Sequence, residues 1–141
     1  MTREGSYRDL VAWQKSMLLV EAVYKETRHW PVDERFGLIP QVRRAAVSVP
    51  ANIAEGSGRS GSAELRRHLS IAHGSICEVQ THLELARRLG MSEASQADSL
   101  LRQAEEVSQI IRGFIRSLEK PLPTNATKPN RSYDSRLTTH D

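Results

Sequence analysis

The sequence predicts an all-α fold, an antiparallel up-down-up-down four-helix bundle with a disordered C-terminal tail. Apolar residues recur at alternating three- and four-residue spacings through four long segments, the segments are joined by short glycine- and proline-bearing links, and no stretch alternates with the period of two that marks a strand. A length of 141 residues fits one domain around a single core.

After a flexible N-terminus (residues 1–8), the first helix is predicted over about 9–28, where Leu10, Trp13, Met17, Val20 and Tyr24 fall on one face. The second, over 33–57, carries Ile39, Val42, Ala46, Val49 and Ile53 and stops at Gly56 or Ser57. Pro40 is a candidate for its true start, and Pro50 predicts a kink one turn before Asn52. The third, over 62–89, has the strongest periodicity: Leu65, Leu69, Ala72, Ile76, Val79, Leu83 and Ala86. The fourth, over 92–118, has Ser92 as its predicted N-cap and Ala97, Leu100, Ala104, Val107, Ile111 and Phe114 as its inner face. Predicted links at Trp30–Val32, Gly58–Gly61 and Gly90–Met91 are two to four residues long, which forces consecutive helices antiparallel. From 119 to 141 the chain is rich in Pro, Thr, Asn and Ser and reads as a flexible tail.

Charge and cysteine content narrow the functional classes. Twenty Lys and Arg stand against seventeen Asp and Glu, a net charge of +3 and a pI of about 9.3, basic enough to permit contact with RNA or DNA without demanding it. Between Arg35 and Arg88 eight arginines face four acids, so the excess sits in the middle of the chain. A single cysteine, Cys77, rules out a disulfide framework within the chain, and the first residues do not read as a signal peptide. No apolar run approaches the ~20 residues that span a bilayer. A cytoplasmic protein with no membrane contact is expected.

No catalytic, cofactor-binding or metal-binding constellation emerges, and the chain reads as non-enzymatic. A di-iron bundle needs a Glu-x-x-His pair on each of two helices with further glutamates, and only Glu26 with His29 has that spacing. His73 with Cys77 and Glu78 with His82 are pairs four residues apart that lack further ligands. The turn GSGRSGS, Gly56 to Ser62, lacks the lysine of a P-loop, and the last position of a nucleophile elbow counted from Gly58 is Ser62 instead of glycine.

The segment Gln41 to Arg59 places polar groups beside its apolar stripe, which costs stability unless partners satisfy them. In a hairpin centred near Gly58, Arg44 falls within reach of Glu78, and Glu55 is placed to accept from the first amides of the third helix. Arg44, Asn52, Glu55, Ser75 and Glu78 are thus expected to form a structural polar network that fixes helix register. Arg43, Arg44, Arg59, Arg66 and Arg67 are the candidate nucleic-acid-binding residues, since guanidinium groups fork onto phosphates.

The string RRAAVSVPANIAEGSGR followed by ELRRHLSIAHGSICEVQTHLELARRLG, with LVAWQKSMLLVEAVYKET upstream, resembles the bacterial four helix bundle proteins first noticed as reading frames in intervening sequences of 23S rRNA genes. NIAEG (Asn52–Gly56) and IAHGSICE (Ile71–Glu78) carry the resemblance most specifically. It implies a homo-oligomer, typically a five-subunit ring (pentamer), with no enzymatic activity assigned. It also points more distantly to the accessory proteins of diversity-generating retroelements, whose basic pentameric barrels bind nucleic acid and a reverse transcriptase.

Two functions follow. One is an oligomeric RNA- or DNA-binding bundle whose assembly repeats the five arginines and gains avidity. The other is a structural or protein-partner module in which those arginines pair with acids. Pairing of the five arginines separates them.

Overall fold

The computed structural model describes residues 6–119. Four helices, α1 (Val11–Thr27), α2 (Leu38–Gly58), α3 (Ser62–Arg88) and α4 (Ala94–Leu118), are preceded by a 3-10 turn at Tyr7–Asp9 and interrupted by another at Val32–Glu34. Each helix packs on the next, and α1 closes the ring against α4. The fold is all-α, an up-down-up-down four-helix bundle. Ser6 caps the first 3-10 turn by accepting from the Arg8 amide, so residues 6–8 of the segment expected to be flexible lie in a capped turn; residues 1–5 and the expected tail from 120 to 141 lie outside the described residues.

The inner faces of α2, α3 and α4 are those that the spacing predicts. Val42, Ala46, Val49 and Ile53 on α2, Leu69, Ala72, Ile76, Val79, Leu83 and Ala86 on α3, and Ala97, Leu100, Ala104, Val107 and Ile111 on α4 are buried. The face of α1 is different. Its buried residues are Ala12, Ser16, Leu19, Val23 and Thr27, whereas Met17 and Tyr24 are exposed and Trp13 and Val20 half-buried. The helix is rotated so that Leu19 and Val23 enter the core together with Ala12, Ser16 and Thr27, while Tyr24 lies against Arg43 of α2. Two hydroxyls are tolerated there because each returns a hydrogen bond to its own helix, Ser16 to the Ala12 carbonyl and Thr27 to the Val23 carbonyl.

The helix ends also depart from expectation. The α1–α2 link is ten residues, Arg28 to Gly37, instead of three, because Trp30 turns into the core and the chain then makes the second 3-10 turn. α2 therefore starts at Leu38, five residues later than predicted, where the Glu34 carboxylate accepts from the Leu38 amide at 2.9 Å. Pro40 falls in the first turn, where its missing N–H costs nothing, and the helix continues through buried Pro50 to Gly58. α3 ends in a Schellman arrangement: Gly90 at φ 74° lets the Met91 amide reach the Ala86 carbonyl and its own amide reach that of Arg87. Ser92 does not cap α4. Its hydroxyl accepts from Trp30 Nε1 and donates to the Glu26 carboxylate, both at 2.7 Å, and Glu93 occupies the cap position.

The rotation of α1 has a direct test by urea denaturation. Leu19→Ala should cost roughly 2–5 kcal/mol, as a fully buried truncation does, and Met17→Ala less than about 1 kcal/mol.

Candidate functional site

Glycine and serine set the distance between α2 and α3. Gly56 faces His68, and a Cβ built on Gly56 would come within 2.7 Å of the His68 Cβ, closer than real atoms approach. One level away, Ser48 and Ser75 hydroxyls meet at 2.9 Å, and the Asn52 amide donates to the Ser48 carbonyl at 2.9 Å and to its hydroxyl at 3.1 Å. The result is a polar seam with its groups bonded across and along the two helices. Pairing of Ser48 with Ser75 and of Gly56 with His68 centres the hairpin between Gly61 and Ser62.

The observed hairpin corrects two expectations. Arg44 and Glu78 form no ion pair: Arg44 is exposed, and the Glu78 carboxylate is 3.9 Å from His82 Nε2 on its own helix. The chain reverses only after Gly61 at φ 87°, which brings Arg44 and Glu78 to nearly the same height along the hairpin, but both lie on exposed faces and do not meet. Nor does Glu55 cap α3. It lies beside His68, one turn into that helix, where its carboxylate accepts from Arg59 at 2.7 Å and stands 3.5 Å from His68 Nε2. The hydrogen bond from Arg59 is the main influence that holds the Glu55 carboxyl below its ordinary value, and His68 acts in the same direction. His68 itself is buried with Nδ1 3.0 Å from the Glu64 carbonyl; a carbonyl only accepts, so Nδ1 carries the proton.

The five candidate arginines divide. Arg43 belongs to the α1–α2 packing: Nε donates to Thr27 Oγ1 at 2.8 Å and the guanidinium lies 4.5 Å from the Tyr24 ring centroid. Arg59 pairs with Glu55 and Arg67 with Glu64 at 3.4 Å. Arg44, exposed, and Arg66, half-buried, make no ion pair among the described residues. Over residues 6–119 fifteen Lys and Arg are balanced by fourteen Asp and Glu, so the described bundle is close to neutral.

Two further polar sites involve His73 and the Glu26–His29 pair, weighed in the sequence as metal ligands, with partners that the spacing does not reveal. His73 Nε2 lies 3.1 Å from the hydroxyl of Ser108, which is buried between α3 and α4. Burial lowers the affinity of His73 for a proton; Arg112 acts in the same direction and Glu105 opposes it. Ser108 is only 2% exposed, so no substrate has a path to this dyad. The second site is a cavity of about 550 Å³ between α1 and α4, lined in part by Glu26, His29, Met91, Gln96 and Leu100. The predicted Glu26–His29 pair lies there, with the Glu26 carboxylate already engaged by Ser92. Among the described residues no group of three or more His, Cys, Asp or Glu side chains is placed to hold a metal. The seven-residue recurrence of His68, Ser75 and His82, all buried, is the signal that would have located the α2–α3 seam.

The class of protein is now defined: a near-neutral four-helix bundle with a bonded polar seam along its central hairpin. Residues 8–113 match the family model of the 23S rRNA-intervening sequence protein, and the chain belongs to that family. The fold is similar to the crystal structure of a protein with unknown function from the S23 ribosomal protein family of Bacteroides thetaiotaomicron, with a TM-score of 0.69 and 24% identity over 75% of this chain and 99% of the other. No curated protein matches the chain. Among the described residues no helix is long and apolar enough to cross a membrane.

The depressed proton affinity of His73 predicts a pH effect with a definite sign. As pH falls below the ordinary imidazole value of 6.5, the unfolded chain takes up the proton before the folded one. Stability is therefore full above that value and declines as pH falls toward the folded-state value. Melting temperatures measured between about pH 7.5 and about pH 5.5 should fall less for His73→Gln than for the wild type. The Glu55 effect lies in a separate window, below its ordinary value of 4.5.

Proposed function

We propose that this chain is a non-enzymatic, self-associating scaffold whose α3 outer face packs against a second copy. The observation that carries the reading is a second apolar stripe on α3, on the side away from the core. Ile71 and Leu85 are 42% and 43% exposed there, and exposed Gly74, Cys77, Glu78 and Thr81 lie between them. A Cβ built on Gly74 meets nothing within 4 Å, so another helix has room for close approach. A shallow depression of about 500 Å³ runs beside Cys77, Thr81 and Leu85. Because the inner face of α3 is already complete, this stripe adds nothing to the monomer and has the 3,4 spacing of a helix–helix contact. Family resemblance sets the expected stoichiometry of this lateral ring at five.

Size-exclusion chromatography with light scattering tests the assembly. The wild type should run as an oligomer through the micromolar range, and Ile71→Glu with Leu85→Glu should convert it to a monomer of unchanged helical circular dichroism. A monomeric wild type throughout that range would remove the proposal.

A second reading, contact with RNA or DNA, draws support from Arg44 and Arg66, which are not consumed by ion pairs among the described residues and would recur in every subunit. Three of the five candidate arginines are engaged within the bundle, and a near-neutral bundle offers few phosphate contacts, so this reading ranks second. Binding to a 23S rRNA fragment and to unrelated RNA over a salt series measures it. The scaffold reading expects weak or absent binding; tight binding with a steep salt slope that Arg44→Ala with Arg66→Ala flattens would reverse the ranking.

A further inference from the structure

We infer that the end of the bundle formed by the α1–α2 link and the α3–α4 turn is a separate contact surface for another copy of this chain, joining assemblies end to end. The three most exposed large apolar side chains among the described residues are Phe36 at 85%, Val32 at 66% and Leu89 at 62%. All three belong to these two connections, which an up-down-up-down bundle brings to the same end. A cluster of this kind at one tip differs from the scattered single apolar residues that any surface carries.

The tip is presented rigidly. Trp30 Nε1 bonds to Ser92 Oγ, tying the two connections together at 2.7 Å. The Glu34 carboxylate caps α2 and rests against Gly37, where a built Cβ would come within 2.6 Å of Glu34 Oε1. Bonds from the Glu34, Arg35 and Gly37 amides to the Pro31, Val32 and Glu34 carbonyls hold the intervening turn. The Arg35 guanidinium sits 5.0 Å from the Phe36 ring centroid. A backbone already held in place loses little freedom on docking.

Charge selects the occupant. Lys25, Arg28, Arg35, Asp33 and Glu93 are exposed at this end, and none of the five has an ion pair among the described residues. An anionic lipid surface or a nucleic acid would be attracted by the cations and repelled by the acids. A second copy turned about a two-fold axis opposes acids to cations and apolar tip to apolar tip, which makes the surface self-complementary. Three side chains supply a few hundred Å², short of the roughly 800 Å² per partner of a stable interface. One tip therefore binds weakly, and its contribution rests on the lateral assembly proposed above, which repeats the tip in parallel.

Light scattering of two single variants separates the contacts. Phe36→Ser should halve the mass of the wild-type assembly with unchanged helical circular dichroism, and Val32→Ser should shift the same equilibrium in the same direction. Leu85→Glu should instead leave no species larger than a dimer; if Leu85→Glu keeps the wild-type mass while Phe36→Ser halves it, the α3 reading fails and the tip contact stands. A Phe36→Ser mass equal to wild type at every concentration overturns the inference. So does cosedimentation of the wild type with phosphatidylglycerol vesicles that Phe36→Ser abolishes without changing mass, an outcome that assigns the tip to lipid.

Discussion

The close approach of α2 to α3 at Gly56 is the constraint from which the rest of the bundle takes its dimensions. With no side chain at Gly56, the His68 ring packs directly on the α2 backbone, and the two helices come near enough for Ser48 and Ser75 to bond. A shift of either helix by one residue would separate the serines, expose the Asn52 amide to an unmatched neighbour and drive the His68 ring into a side chain. The penalty falls on wrong registers more than it adds to stability in the right one, which suits a fold whose apolar heptads alone would accept several alignments. The ladder of small residues on α2 and α3 thus does for this hairpin what size complementarity does for a core.

Much of the fold was legible because helical periodicity is a local property. Ile53, Leu69, Ile76, Val107 and Ile111 lie on unambiguous stripes, and no competing stripe exists on their inner faces. α1 was misread because Met17, Val20 and Tyr24 form a stripe as regular as the true one, while the buried face includes Ser16 and Thr27, whose polarity is cancelled by bonds that no spacing reveals. The register of the α2–α3 hairpin was misjudged for a different reason. It depends on where Gly61 reverses the chain, a three-residue matter that set Glu55 beside His68, whereas Arg44 and Glu78 fail to pair because both are exposed. Phe36 escaped notice because the second helix was expected to begin at Asp33, which would have hidden an exposed aromatic within a regular segment.

Arginine pairing is the least legible property of all, since it depends on side chains meeting across or along helices already placed. The sequence shows an excess of positive charge between Arg35 and Arg88, yet several of its guanidinium groups are held by acids: Arg59 by Glu55, Arg67 by Glu64, Arg88 by Glu84 and Arg87 by Asp98. These exposed pairs contribute little to folding individually. Their effect is on recognition, because a guanidinium held by a carboxylate has less to offer a phosphate. Besides Arg44 and half-buried Arg66, the exposed features include apolar side chains on α1, on α3 and at the end that carries Phe36.

The bond between Trp30 and Ser92 makes the protein its own optical gauge. Trp30 is buried and hydrogen-bonded at the loop end, whereas Trp13 is half-buried near the opposite end, its ring edge-on to Tyr7 at 5.3 Å. Replacing either indole leaves an emission signal from one end alone, so fraying at the α1–α2 link and fraying at the N-terminal turn become separate spectra instead of one averaged curve.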